Sequence, residues 1–179
     1  MRPPARLQQA FAILSALLSL TASLPLGAEP ARKAAMYLNV KYGFSLTVPT
    51  DVFTPASTPN PDAGGLWESR DGRARLLAVA AENTTGDSLQ SYRRFLLEDL
   101  YKDAVLDYAP LRDTWFVLSG RRGDMMFYER ITFACDGRYI YGWQLSYPEA
   151  ERNAYDRIVE AVHRSYRAGR GQDGRCGRG

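Results

Sequence analysis

The sequence predicts an α+β domain, an antiparallel sheet of about six strands packed with two main α-helices. Three observations lead there. Apolar and polar residues alternate with period two in several short runs, the mark of strands with one buried face. Two Asp-Gly pairs, Asp71-Gly72 and Asp136-Gly137, stand between such runs and signal tight hairpins. Two other stretches repeat apolar residues at spacings of three and four, as amphipathic helices laid on a sheet do.

The elements follow in order. Residues 42–49 (YGFSLTVP) alternate Phe44, Leu46 and Val48 with Ser45 and Thr47, a strand with one buried face. A loop rich in Pro, Ser, Thr and Asn runs over 49–65. Strands at 66–70 and 73–81 flank Asp71-Gly72, where both central positions of a two-residue turn require positive φ. That register sets Glu68 against Arg75 and Trp67 against Leu76. Asp87 with Gln90 is a capping-box variant opening the first helix. Leu89, Tyr92, Leu96 and Leu100 lie on one face of it. A three-strand meander follows at 114–119, 124–135 and 138–146, with turns at 120–123 and at Asp136-Gly137. Ser146 and Glu149 then form a capping box, with Pro148 in the first turn. The helix they open buries Tyr155, Ile158, Val159, Val162 and Tyr166.

The ends of the chain carry an address. Arg2 and Arg6 precede an apolar run over residues 10–20, and Leu24-Pro25-Leu26-Gly27-Ala28 offers small residues before Glu29. This is the pattern of a secretory signal peptide, residues 1–28, cut after Ala28. The run is shorter than the roughly 18–20 apolar residues of a membrane span, and no cysteine follows the cut to take a lipid. The expected product is periplasmic or secreted. Residues 29–36 read as a flexible leader, 37–166 as one domain, and the Gly/Arg-rich 167–179 as a disordered tail. Four arginines sit in that tail against one aspartate, so the positive balance lies outside a slightly acidic body. Nothing there asks for nucleic acid or an anionic membrane. Cys135 and Cys176 are a candidate disulfide pair in an oxidising compartment, with a free or intermolecular thiol as the alternative. Their spacing matches no metal or redox motif.

On its YGFSLTVP strand, central helix, long meander DMMFYERITFACDGRYIYGWQLSYP and closing helix, the chain resembles the PsbP-like fold family, which includes the bacterial DcrB-like proteins. The resemblance spans roughly residues 37–166. It implies a small exported accessory or binding module, and it brings no family active site to carry over.

The residues themselves name no reaction. His163 is the only histidine, and a triad or a zinc site would have to use it. Its place beside the apolar stripe of the last helix reads as a boundary residue. Ser119 lacks the flanking glycines of a nucleophile elbow. Asn83-Thr84-Thr85 fits the glycosylation sequon, which matters only in a eukaryotic secretory pathway. No metal site and no cofactor is expected. The last hairpin is the candidate binding surface. Its register sets Arg130 against Trp143, Thr132 against Tyr141 and Tyr128 against Leu145 on one side, and Glu129 against Gln144 on the other. Arg130, Trp143, Tyr128 and Tyr141 would then offer flat aromatics and a fixed cation to a small ligand or an envelope protein. The alternative is a core face with Arg130 reaching to its edge. Glu129 shares its side with Phe127, Ile131 and Phe133, and an edge strand open to water is its expected setting. Three functions remain in play: a non-enzymatic exported accessory or ligand-binding module, a hydrolase pairing a carboxylate such as Glu129 with an arginine, and a structural partner in an envelope complex.

Overall fold

The computed structural model describes residues 33–171 and Cys176. The expected signal peptide, residues 1–28, lies outside the described residues. Nine strands and two α-helices make an α+β fold. Strands β1 (Ala34–Leu38) and β2 (Ser45–Pro49) form an antiparallel pair of their own. The remaining strands are β3 (Phe53–Ala56), β4 (Gly64–Ser69), β5 (Arg75–Glu82), β6 (Val105–Tyr108), β7 (Trp115–Arg122), β8 (Met125–Ala134) and β9 (Tyr139–Pro148). They build one antiparallel sheet in the order β3-β4-β5-β9-β8-β7-β6. Helix α1 (Leu89–Phe95) runs on into a π-helical turn, Leu96–Leu100. Helix α2 (Arg152–Ser165) follows a 3-10 turn, Glu149–Glu151.

The sheet buries both faces, each with its own core. On one face the β1–β2 hairpin and α2 cover Leu76, Ala78, Tyr141, Trp143 and Leu145 with Phe44, Leu46, Ile158 and Val162. On the other, α1 and its π turn pack Leu89, Leu96 and Tyr101 over Phe116, Leu118, Phe127, Ile131 and Phe133. Burying such side chains is worth about 1.5–3 kcal/mol each, so most of the sheet is held from two sides.

Both expected hairpin registers are present. Glu68 faces Arg75 and Trp67 faces Leu76, while Arg130 faces Trp143 and Glu129 faces Gln144. At Asp136-Gly137 both central residues are left-handed (φ 55° and 83°), and the Arg138 amide donates to the Cys135 carbonyl. The Asp71-Gly72 turn is built otherwise. Only Gly72 has positive φ, and the Gly72 amide donates to Ser69 in a four-residue loop. The Asp71 carboxylate takes the Ser69 hydroxyl, the Arg73 amide and Arg73 Nε, so side-chain bonds replace the second left-handed residue.

Several boundaries differ from the sequence reading. The supposed leader ends in β1 from Ala34, and β3 and β6 add edge strands that short apolar runs did not announce. The turn expected at 120–123 moves to Gly123-Asp124, because β7 keeps pairing through Arg122 opposite Met125. The N-cap of α1 is Ser88, whose hydroxyl accepts from Ser91, and Asp87 instead binds the Ser91 hydroxyl. Ser146 caps nothing: β9 runs on through Pro148, and the Glu149 amide donates to the Asp124 carbonyl. The π turn carries the Tyr101 amide to the carbonyl of Leu96, five residues back. That added residue turns Leu100 out to 48% exposure and Tyr101 in.

Residues 167–171, the start of the stretch expected to be disordered, pack against the domain. Arg167 bridges Ser45, and the Gly171 amide donates to the buried Tyr141 hydroxyl at 2.7 Å. At Gly169 an added Cβ would lie 1.9 Å from the Tyr42 carbonyl oxygen. Glycine there permits close packing of backbone on backbone, a role composition alone reads as disorder. Cys176 forms a disulfide with Cys135 across 41 residues.

Candidate functional site

The pleat of β8 sorts its residues onto two faces. Tyr128, Arg130 and Thr132 point to the α2 side, and Phe127, Glu129, Ile131 and Phe133 to the α1 side. The four residues expected to form a binding surface therefore do lie on one face, but at different depths. Trp143 is 1% exposed and Tyr141 is fully buried. Both belong to the core, and Tyr141 spends its hydroxyl on the Tyr42 carbonyl and the Gly171 amide. Tyr128 and Arg130 are half-buried and reach the rim.

Around that rim the structure gathers residues from three elements. The Arg130 guanidinium lies 4.2 Å over the Trp115 ring and 5.7 Å from the Tyr166 ring centre. Arg112 approaches the same indole at 5.9 Å. Two guanidiniums thus approach one indole ring, and neither is in an ion pair among the described residues. Arg130 Nε is buried with no hydrogen-bond partner. Tyr128 stacks on Trp143 at 5.0 Å, so the core indole supports the rim from beneath.

His163 is part of this cluster, not the plain boundary residue its helix position suggested. Its Nδ1 lies 2.8 Å from the Tyr128 hydroxyl and its Nε2 3.4 Å from Arg130 Nη1. A guanidinium only donates, which assigns Nε2 as acceptor and Nδ1 as the protonated nitrogen. Burial, then Arg130 and Arg164, hold the imidazole below its ordinary pKa, consistent with that neutral form. Nδ1–H donates to the Tyr128 oxygen, and the Tyr128 hydroxyl proton stays free for an incoming acceptor. Burial pushes the Tyr128 phenol up to about 12, so that proton is held at neutral pH. The arrangement can accept an anion and orient it. It offers no activated nucleophile.

Glu129 is not on the water-facing edge expected of it, nor paired with an arginine among the described residues, and strand β8 lies between β7 and β9. Burial raises its carboxyl above the ordinary value, and the Tyr101 hydroxyl pulls the other way. Asn83, the sequon residue, donates its amide nitrogen to the carbonyls of Asp87 and Gly137, which ties the β5–α1 loop to the β8–β9 turn. A glycan on Nδ2 would have to break at least one of these bonds. Among the described residues no group of three or more His, Cys, Asp or Glu side chains is placed to hold a metal ion, and no helix is long and apolar enough to cross a membrane. Sequence reasoning missed Trp115, Arg112 and Tyr166 as rim residues. Each lies outside the β8–β9 hairpin, and only the sheet order brings them to Arg130.

Taken together, a seven-stranded antiparallel sheet carrying one long helix and a β-hairpin on one face, and a short helix on the other, is a PsbP-like fold. Cyanobacterial PsbP (CyanoP) from Synechocystis sp. PCC 6803 superposes with a TM-score of 0.56 at 16% identity, over 80% of this chain and 99% of that one. The Ran-binding protein Mog1p of Saccharomyces cerevisiae has the same architecture, with a TM-score of 0.52 at 14% identity over 77% of this chain and 96% of its own. No family model matches the chain, and no curated protein matches it in sequence. Identities this low speak for a shared fold.

Proposed function

We propose that this chain is an exported, non-enzymatic module of the cell envelope that docks an anionic group of a small ligand or a partner protein at the Trp115 rim. One observation carries the reading: Arg130 and Arg112 both approach the Trp115 ring without a carboxylate paired to either among the described residues. Cation–π contact of this kind is worth about 0.5–2 kcal/mol; with Arg112 Nη1 on the Leu111 carbonyl and Arg130 Nη1 on His163, Arg130 Nε is still left without an acceptor. A carboxylate would find Arg130 and the Tyr128 hydroxyl side by side, with Trp115 as a floor for a flat group. The fold supports the accessory role, since one structural neighbour is a PsbP protein and another a Ran-binding protein. The hydrolase alternative loses its geometry, because Glu129 and Arg130 are neighbours in sequence and face opposite sides of the sheet.

Benzoate and inorganic phosphate are the probes, titrated into the disulfide-intact chain while the indole N–H signals are followed by NMR. Benzoate is expected to shift the Trp115 signal, with Arg130→Ala weakening binding about tenfold, a loss of roughly 1.4 kcal/mol. Arg130→Ala should leave the urea midpoint nearly unchanged, whereas Trp143→Ala, a core truncation, should cost about 3–5 kcal/mol. No shift at Trp115 with either probe, or equal binding by Arg130→Ala, would overturn the site.

A further inference from the structure

The α1 side of the sheet holds a second feature, independent of the anion rim. Helix α1 and its π turn cover β7 and β8. Beside them a groove of about 250 Å³ remains open over β5, β9 and β8. Its floor is a row across three strands, Val79 opposite Gly142 and Gly142 opposite Ile131. Ala81, Ile140 and Tyr92 form the walls, and Asn83, Thr84 and Thr85 the rim. Glycine in the interior of a central strand weakens it and marks a place that something approaches closely. A Cβ at Gly142 would lie 2.8 Å from Ile131 Cδ1, so glycine there makes room for the Ile131 side chain, which packs across β9 as part of the groove floor.

Glu129 lines this groove. Gln144 Nε2 donates to the Tyr101 oxygen at 2.7 Å, which holds the Tyr101 hydroxyl beside Glu129. One carboxylate oxygen, Oε2, is buried with no hydrogen-bond partner. Leaving a buried charged acceptor bare costs more than leaving a neutral one bare. The sequence could have filled the position with another apolar residue, like Phe127, Ile131 and Phe133 on the same face. It holds a carboxylate instead, beside the apolar floor of Val79 and Ile131.

We propose that this groove takes the end of a primary alkylammonium, the chemistry shared by a lysine side chain and a small diamine, with the ammonium on Glu129 Oε2 and the methylenes along Val79, Ile131 and Ile140. Three points select that chemistry. The bare buried acceptor is a single oxygen, Oε2, which suits a compact single-point cation better than a bidentate guanidinium. Val79, Ala81, Ile131 and Ile140 give the lining an aliphatic stretch for an alkyl stem, and Glu82 adds a second carboxylate to it, which favours a cation. The volume is below the roughly 300–1,000 Å³ of drug-sized pockets and matches a side-chain-sized occupant.

The test is calorimetric titration of the disulfide-intact chain at pH 8 with 1,5-diaminopentane and with Nα-acetyl-lysine methylamide. The uncharged controls are 1-pentanol and Nα,Nε-diacetyl-lysine methylamide. At least one amine is expected to bind, its uncharged control about tenfold more weakly or not at all, and Glu129→Gln should weaken the amine by about the same factor. Binding of the diamine alone assigns a free small amine; binding of the lysine derivative alone assigns a lysine of a partner segment. Val79→Trp, at a position already partly exposed, fills the groove without touching Glu129 and should abolish binding. It keeps the test decisive if Glu129→Gln does not fold. Absence of binding by both amines, controls that bind as well as the amines, or binding unchanged in Val79→Trp would each overturn the proposal.

Discussion

Glu129 and Arg130 show how much one strand position decides. Adjacent residues on β8 point to opposite faces, so two opposite charges one bond apart in the chain never meet. Each is left to its own surroundings: an aromatic rim for the guanidinium, a tyrosine hydroxyl and a groove for the carboxylate. The burial of Glu129 has a consequence for pH. Its folded-state pKa is raised above the ordinary 4.5, so from pH 4.5 up to that raised value the native chain binds more protons than the unfolded one. Stability therefore falls as pH rises through this window. His163 acts in the opposite sense. Its folded pKa lies below 6.5, the unfolded chain binds more protons just below that pH, and its contribution rises as pH climbs to 6.5. Urea midpoints measured from pH 4 to pH 8 should thus fall more steeply above pH 4.5 in the natural chain than in Glu129→Gln, where the carboxyl contribution is gone. Parallel profiles for the two proteins would show that Glu129 does not titrate differently on folding.

At the level of elements, the π turn after α1 is where local pattern and tertiary structure part. A regular helix would place Leu89, Tyr92, Leu96 and Leu100 on one buried face, and three of the four follow that rule. The extra residue in the turn hands the fourth place to Tyr101, which stacks on Phe127 at 4.4 Å and bonds Gln144. Leu100→Asp should accordingly change stability by no more than about 0.5 kcal/mol, as exposed substitutions do. Tyr101→Phe keeps the ring but leaves Glu129 and Gln144 short of a partner, and should cost about 1–3 kcal/mol. Thermal unfolding of the two variants distinguishes a π turn from a regular helix, in which Leu100→Asp would be the damaging change. The elements with strong alternation or clear Asp-Gly turns were legible in the sequence, as were the registers those turns impose. Strands β1, β3 and β6 were not, because four or five residues at an edge carry too few alternations to stand out, and exposed Met36, Leu38 and Val105 break the in–out rule. Of the anion rim, Tyr128 and Arg130 could be found from one hairpin. Arg112, Trp115 and Tyr166 come from the far side of β7 and the end of α2, and only the sheet order places them there.

For the molecule as a whole, the closing segment ties the layers together. Residues 167–171 lie against Tyr42 and Tyr141 beneath the β1–β2 hairpin, and the Cys135–Cys176 disulfide fastens the chain beyond them to the tip of the β8–β9 turn. The two cysteines therefore join the last part of the chain to the hairpin that also carries Glu129 and Arg130. A closed loop of 41 residues removes chain entropy from the unfolded state worth roughly 4 kcal/mol. Against a total stability of about 5–15 kcal/mol for a domain this size, that is a large share, and it exists only where the compartment is oxidising. The chain made with its leader in a secreting bacterial host should therefore be recovered outside the cytoplasm, beginning at Glu29 and two hydrogens lighter than its reduced mass. Cys135→Ser should lower its urea midpoint by an amount equivalent to about 2–4 kcal/mol, and reduction of the natural protein should match that loss. Intact mass with and without reductant, together with the two unfolding curves, checks both halves. A product that keeps its leader would overturn the export reading, and midpoints unmoved by reduction would show that the tail is held by its backbone contacts with Tyr141 and Ser45 alone.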